Sequence, residues 1–471
     1  MHRPIYRLYA LIVALFAILV FSTSWWTVFG AKSLRDNPSN RRQLLEQARI
    51  KRGLIKAADG TILARSVPAG GGTFTRKYPD GSLFSHAVGY SFLRFGRSGL
   101  ERARNDALTG ENNELGSLLD QLRGRRREGD DVITSLSPRA QRVAYDALGG
   151  QRGAVAAIDP RTGAVKVMAS VPRYDPNRVP EQFSQLNRDP GSPLFNRTTQ
   201  GRYPPGSTFK VVTDVAAIDS GRFSPDSTVN GDSPKTISGV PLSNDGGESF
   251  GDVSLTDALT HSVNTVWAQV GESLGRSTMA KYMERFGFYA KPPLDYPGDQ
   301  RYASGEFSNG NLLSPVSGRI DVGRMAIGQD KLLVTPLQMA MVAAAVANHG
   351  VLVRPHLTNK VVDPDGRVRD DVGTSVYHRV MKRETADTVG QMMSNVVKEG
   401  TGTAAALSGF QVAGKTGTAE ISQGVNQVWF IAFAPIDQPR IAIAATVERS
   451  SGLGGTVAAP IAKQVMEALL Q

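Results

Sequence analysis

From Leu8 to Ala31 the chain reads LYALIVALFAILVFSTSWWTVFGA, without one charged residue. About 20 apolar residues in a helix are enough to span a bilayer, so this stretch commits one end of the chain to a membrane. Arg3 and Arg7 precede it, and the positive-inside rule then keeps residues 1–7 in the cytoplasm. Trp25 and Trp26 fall near its far end, where indole rings favour the membrane–water boundary. A cleaved signal peptide has an apolar region of only about 7–15 residues and a small-residue cleavage site. The run here is longer and no A-x-A follows it. The expectation is an uncleaved anchor over residues 8–31, with everything from Lys32 onward outside the cytoplasm.

That address excludes some chemistry. The chain has no cysteine, so no disulfide supports an exported domain and its stability must come from burial. Cysteine nucleophiles and thiolate metal sites are ruled out as well, and no metal-ligand cluster or cofactor motif is evident. A hydrophobic fraction of 41% against 21% charged residues suits a chain that buries a core. The net charge of +11 raises the question of a polyanionic partner. Its one dense run, Arg123–Arg127 (RGRRR), reads as a solvated face, and no nucleic-acid motif accompanies it.

Residues 32–131 are broken by glycine and charge, as in RGLIKAADGTILA (Arg52–Ala64) and GRSGLE (Gly96–Glu101). They read as short strands and loops around a modest core. The texture changes at SPRAQRVAYDALGG (Ser137–Gly150), which has a capping serine, proline at the next position and a glycine stop. GAVAAIDPRTGAVKVMAS (Gly153–Ser170) follows as two strands joined at Asp159–Gly163. A long mixed helical region comes next, with apolar-striped helices at Thr335–Asn348 and Arg383–Lys398. FQVAGKTGTAE, QVWFIAFAP and RIAIAATVE then read as three strands, and AAPIAKQVMEALL as a closing helix. Strands at both ends with helices between imply one sheet built from distant segments, an α/β or α+β layered domain over residues 132–471.

Two incompatible patterns overlap near the end. Gly409 to Thr416 (GFQVAGKT) matches the phosphate-cradling G-x-x-x-x-G-K-[ST] loop, which needs a strand before Gly409 and a helix opening at Lys415. Neither is evident: TAAALS (Thr403–Ser408) is a poor strand, and a Gly-marked turn follows Thr416. Lys415-Thr416-Gly417 is also a K-T-G triplet of penicillin-reactive serine enzymes. In YPPGSTFK (Tyr203–Lys210), Pro204, Pro205 and Gly206 prevent a helix before Ser207. Ser207 therefore falls in a first helical turn, where free backbone N–H groups favour developing negative charge. Lys210, three residues on, shares its helix face. A serine hydroxyl needs a base, and a lysine serves when burial or a neighbouring cation lowers its pKa. An isolated S-x-x-K is equally an N-capping serine and a surface lysine. Here, however, Ser207–Lys210 is the only S-x-x-K, Ser262-Val263-Asn264 the only S-x-N and Lys415–Gly417 the only K-[ST]-G, in that order. His261, next to Ser262, reads as a structural neighbour and not as a Ser-His pair, because no partner pattern supports it.

These motifs, with LTDALTHSVNTVWAQ (Leu255–Gln269, helix-like), MAIGQDKLLVTPLQMA (Met325–Ala340), EGTGTAA (Glu399–Ala405) and AGKTGTAE (Ala413–Glu420), make the chain resemble the penicillin-binding proteins. The likeness runs from about Val132 to the C-terminus. Arg52–Ala64 resembles the start of that family's non-catalytic pedestal, although Lys56-Ala57-Ala58-Asp59-Gly60 departs from its usual Asp-Arg pair before the glycine. Too few residues separate the anchor from residue 131 for a glycosyltransferase domain, which points to the monofunctional class B branch, in its short-pedestal actinobacterial form.

The resemblance implies a central, mostly antiparallel sheet flanked by helices and a peptidoglycan D,D-transpeptidase open to β-lactams. Ser207 would attack the bond between the last two D-alanines of a stem peptide, and Lys210 would take its proton. Ser262 would relay a proton to the leaving amine, held near Lys210 and Lys415. Asn264 would bind the substrate's peptide amide and help fix Lys210. Backbone N–H groups of Ser207 and Thr418 would form the oxyanion hole. Thr416 and Thr418 would hold the terminal carboxylate, while Gly417 would let substrate pair along the strand edge. Expected partners are nascent glycan strands with their stem peptides, a SEDS-type membrane glycosyltransferase and other wall-synthesis or divisome proteins. Within the superfamily a D,D-carboxypeptidase or a β-lactamase-type hydrolase is the alternative. Neither Glu272 nor Glu284 stands in the Glu-x-x-Leu-Asn pattern that a class A β-lactamase uses for deacylation.

Overall fold

The computed structural model describes residues 3–25, 47–111 and 128–471. By their contacts they fall into two compact units, Met1–Lys51 with Val67–Thr75, and Arg52–Ser66 with Arg76–Gln471. In the first unit, helix α1 (Arg3–Trp25) is long and apolar enough to cross a membrane, and none of its apolar window is buried by protein. The helix begins before the uncharged run, because each added residue gains a backbone hydrogen bond once a turn exists. Residues 26–31 of the expected anchor and the RGRRR run at 123–127 lie outside the described residues.

Strands β1 (Ile55–Lys56) and β4 (Asp131–Thr134) lie in the second unit, while β2 (Ile62–Gly70) and β3 (Thr73–Lys77) run from one unit into the other at Ser66/Val67 and Thr75/Arg76. Strand β4 runs parallel to β1, pairing Val132 with Ile55. Beside this sheet lies a fully buried carboxylate, Glu101, which accepts from Arg76 Nε at 2.5 Å and from Arg52 Nη2 at 2.9 Å. Nothing in the alternation of residues announces that buried ion cluster.

Helix α2 (Pro138–Leu148) has the boundaries its residues dictate. Ser137 Oγ accepts from Ala140 N at 3.3 Å, and Gly149 closes the helix at φ 57°. Strands β5 (Gly153–Ile158) and β6 (Val165–Val171) form the expected antiparallel hairpin. Every residue of β5 is buried, as expected of a strand covered on both faces. The helical region then contributes α3 (Lys210–Asp219), α4 (Leu255–Thr260), α5 (Asn264–Arg285) and α6 (Pro336–Ala347). Leu255–Gln269 is therefore not one helix but two, broken at His261–Val263. All 12 residues of α6 are buried, so it is wrapped on every side and not striped. Short strand pairs that the sequence did not announce interrupt the region, among them Thr228–Asn230 with Asp252–Ser254.

Strands β7 (Thr358–Val362) and β8 (Val368–Asp371) complete the first sheet, in the order β8-β7-β4-β1-β2-β3. Strand β4 thus pairs with β1 on one side and with β7 on the other, and the sequence boundary at residues 131/132 falls inside it. Helix α7 (Arg383–Lys398) precedes β9 (Ala413–Ser422), β10 (Val425–Ala434), β11 (Ile441–Ser450) and helix α8 (Ala459–Leu470). The central sheet has the order β9-β10-β11-β5-β6 and is antiparallel throughout. Helices α6 and α8 both pack on it, with α2 beside α8 and α7 against β9. The layered fold expected from distant strand segments is the one observed.

Candidate active site

The S-x-x-K stretch sits where a kinked segment meets the first strand of the central sheet. Gly206–Phe209 forms a short 3-10 turn that runs directly into α3 at Lys210. Backbone bonds, one pair of them reciprocal between Tyr203 and Val334, and one indole hold the approach. Gly206 N donates to Gly328 O at 3.0 Å, Tyr203 N to Val334 O at 3.0 Å, and Trp429 Nε1 to Pro204 O at 2.9 Å. Gly328, at φ 79°, lies so close that a Cβ there would meet Gly206 O at 2.0 Å. Behind Ser207 runs β9, and a Cβ on Gly417 would meet Pro205 O at 2.6 Å. The glycine of K-T-G thus lets the strand back onto the Ser207 turn.

Lys210 is completely buried. Its Nζ donates to Ser262 O at 2.6 Å, to Asn264 Oδ1 at 2.7 Å and to Ser262 Oγ at 3.2 Å. The three contacts all fall on the S-x-N stretch, and Ser207 Oγ is not among them. Such bonds often form only once substrate is bound. Ser262 occupies the break between α4 and α5 with φ 61°, a left-handed conformation uncommon for a residue with a side chain. That geometry aims its hydroxyl between two amines, because Lys415 Nζ also donates to Ser262 Oγ, at 2.9 Å.

Lys415 is as buried as Lys210. Burial brings its ammonium down to about 7, against an opposing pull from the Asp245 carboxylate. Lys210 is driven well below the usual lysine range by burial first and by the Lys415 cation second. Burial and the Lys415 cation thus push Lys210 toward its neutral form, which leaves Lys415 the better candidate for the charge. A neutral Lys210 amine gives its two hydrogens to Ser262 O and Asn264 Oδ1, and its lone pair is then available to the Ser262 hydroxyl 3.2 Å away.

Thr416 and Thr418 lie on the same strand with different partners. Thr416 Oγ1 shares a hydrogen bond of 2.6 Å with Thr401 Oγ1, and Thr418 Oγ1 accepts from Gly454 N at 3.1 Å. Thr401 lies in EGTGTAA, which the sequence singles out without giving it a role, and the loop at Gly454 carried no signal at all. Asp245, the carboxylate that both lysines feel, was missed for the same reason. His261 stacks on Phe250 with ring centres 6.2 Å apart, as a structural neighbour does. The phosphate-loop pattern fails as a structure: Thr403–Ala405 is a 3-10 turn and not a strand, and Lys415 lies within β9 where a helix would have to open.

Comparisons agree with this geometry. Residues 153–467 match the family model described as penicillin binding protein transpeptidase domain, and residues 52–132 that of the penicillin binding protein A dimerisation domain. The peptidoglycan D,D-transpeptidase PbpA of Mycolicibacterium smegmatis is 34% identical over 499 residues, covering 100% of this chain and 99% of the relative. PbpA of Mycobacterium tuberculosis is 34% identical over 500 residues, with the same coverage of each chain. The crystal structure of PBPA from M. tuberculosis superposes with a TM-score of 0.81 at 33% identity, over 89% of this chain and 99% of that one. Its ceftriaxone acyl-enzyme complex gives 0.82 at 33% identity, over 91% and 100%.

Proposed function

The chain belongs to the penicillin-binding peptidoglycan D,D-transpeptidases, and we propose that Ser207, Lys210, Ser262, Asn264 and Lys415 carry its reaction. The observation that supports this most is the Ser262 hydroxyl lying within 3.2 Å of Lys210 Nζ and 2.9 Å of Lys415 Nζ, beside the Ser207 turn. Ser207 Oγ attacks the carbonyl between the last two D-alanines, and its proton passes to the lone pair of Lys210. Backbone N–H groups of Ser207 and Thr418 hold the resulting oxyanion. As the C–N bond breaks, the proton returns through Ser262 to the leaving amine, and D-alanine departs. The amine of a neighbouring stem peptide then attacks the Ser207 ester; as the ester bond breaks, the amine's proton passes through Ser262 and Lys210 to Ser207 Oγ, which restores the free hydroxyl. Thr416 and Thr418 bind the terminal carboxylate near the Lys415 charge, and Gly417 leaves the strand edge open to the peptide. A β-lactam follows the first half of this path. Its leaving amine stays tethered to the acyl group, so the acyl-enzyme persists.

Incubating the full-length protein with a fluorescent penicillin is expected to give one covalent band, with the added mass on the peptide that contains Ser207. Ser207→Ala is expected to give none. An unlabelled wild type, or equal labelling of the alanine variant, overturns the assignment.

The same reading places the chain as a single-pass protein of the cytoplasmic membrane, residues 1–7 inside and 8–31 spanning. Residues 32–131 form a pedestal and residues 132–471 the transpeptidase domain outside. Arg3 and Arg7 ahead of the uncharged run support that orientation, and the dimerisation-domain match over 52–132 supports the pedestal. The pedestal and anchor are the proposed contacts for a SEDS-type glycosyltransferase and other divisome proteins. Co-purification of the full-length protein with such an enzyme checks this, and its loss on exchanging residues 1–131 is the expected result.

A further inference from the structure

One carboxylate beside the S-x-N turn has no part in the chemistry above. The loop Ser243–Gly247 is clasped to the start of α5. Asn244, 4% exposed, donates from Nδ2 to Gly231 O at 3.0 Å and to Glu248 O at 2.8 Å, and its Oδ1 accepts from Thr265 N at 2.9 Å. Asn264 Nδ2 adds a bond to Ser243 O at 3.2 Å. The helix turn that presents Asn264 to substrate therefore also positions the next residue of the loop, Asp245. That side chain is exposed, with Oδ1 3.5 Å from Asn264 Nδ2, and it makes no ion pair among the described residues. Gly246 and Gly247 follow, at φ 63° and 74°, with open space where side chains would stand.

In the binding mode proposed above, Asn264 holds the peptide group just before the D-alanyl-D-alanine end. In stem peptides the residue that contributes that carbonyl is a diamino acid, and in this mode its side chain would extend toward Asp245, whose Oδ1 lies 3.5 Å from Asn264 Nδ2. The two buried lysines make this site unwelcoming to a third cation unless a carboxylate offsets them. We infer that Asp245 recognises the side-chain ammonium of the diamino acid in the donor stem peptide, and so determines which donors are accepted. This rests on the donor site proposed above. The ligand class is a peptide ending in diamino acid–D-Ala–D-Ala with its side-chain amine free.

The test uses full-length protein in detergent and two donors, Nα-acetyl-L-lysyl-D-alanyl-D-alanine and its Nε-acetylated form, with D-alanine release as the readout. Wild type is expected to favour the free amine by about tenfold in kcat/KM, equivalent to ~1.4 kcal/mol. In Asp245→Asn the ratio is expected to fall to about one, and Asp245→Glu to keep part of it. Because the ratio is taken within one enzyme, general changes at Lys210 cancel. High salt is expected to shrink the wild-type preference, a measurement that needs no variant. A wild type without preference, or an Asp245→Asn that keeps it in full, overturns the assignment. Fluorescent penicillin, which carries no such amine, separates the failures. If wild type labels at Ser207 yet shows no preference, only the role of Asp245 is wrong; if it does not label, the donor site itself is wrong.

Discussion

Replacing Lys210 by alanine is expected to slow acylation of Ser207 by between about 10² and 10⁴, the usual weight of a positioned proton acceptor. Stopped-flow with a chromogenic cephalosporin measures it. Lys210→Met, which keeps most of the stem volume, is expected to fall as far, because the loss lies in the lone pair and not in packing. The pH profile carries the second half of the argument. Lys210 is held well below the usual range by burial and by the Lys415 cation, so the neutral, proton-accepting form is favoured over that of an ordinary lysine and is lost as pH falls through that depressed value. Lys415, brought to about 7 by burial, loses its charge as pH rises through that value. The wild-type rate should therefore climb on the acid side and decline on the alkaline side from about 7. The Lys210 variants should lose the acid limb and keep the alkaline one. A variant with the wild-type rate and both limbs would show that another group accepts the Ser207 proton.

Glu101→Gln is expected to be the most damaging change outside the site, lowering stability by about 3–5 kcal/mol. Glu101 is fully buried and receives both Arg52 and Arg76. Burial by itself would raise its carboxyl, but the Arg76 and Arg52 guanidinium groups outweigh this and hold it below the usual range. Glutamine keeps the shape and removes the charge, which leaves two nearly buried cations without a counter-ion. Because the folded carboxyl is depressed, its contribution is complete above the usual carboxylate range and fades as pH falls through the folded value. The variant should accordingly show a lower thermal midpoint at neutral pH, with the gap narrowing in acid. An unchanged midpoint at neutral pH would mean that the cluster gives no net stability.

Much of the molecule could be read before any coordinates. Ser137, Pro138 and Gly149 set the limits of α2, since capping chemistry is local and acts within one turn. Strands β9, β10 and β11 follow from apolar runs cut by short breaks, and the order of S-x-x-K, S-x-N and K-T-G identified the chemistry. What went unread depends on contacts between distant residues. The break at His261–Val263 lies inside a pattern that local propensity continues as helix, and it is held by the two lysines that meet at Ser262. The wrapped α6 carries a single polar residue, Gln338, which is itself buried and donates to Phe286 O, so only the packing reveals that every side is covered.

The sequence by itself determined the long apolar stretch near the N-terminus, the layered class of the fold and the three motifs that mark the family. These are properties of single segments: length of an apolar run, period of a strand, identity of a nucleophile. Only the tertiary structure decided how the two lysines are biased in protonation. Lys210 and Lys415 are chemically identical and equally buried side chains that both feel the Asp245 carboxylate, and what sets Lys210 apart is the further downward push of the Lys415 cation, supplied by a residue far away in the chain. Protonation at this site is a property of the assembled neighbourhood, because desolvation and Coulomb energy depend on distance in space and not on separation in sequence.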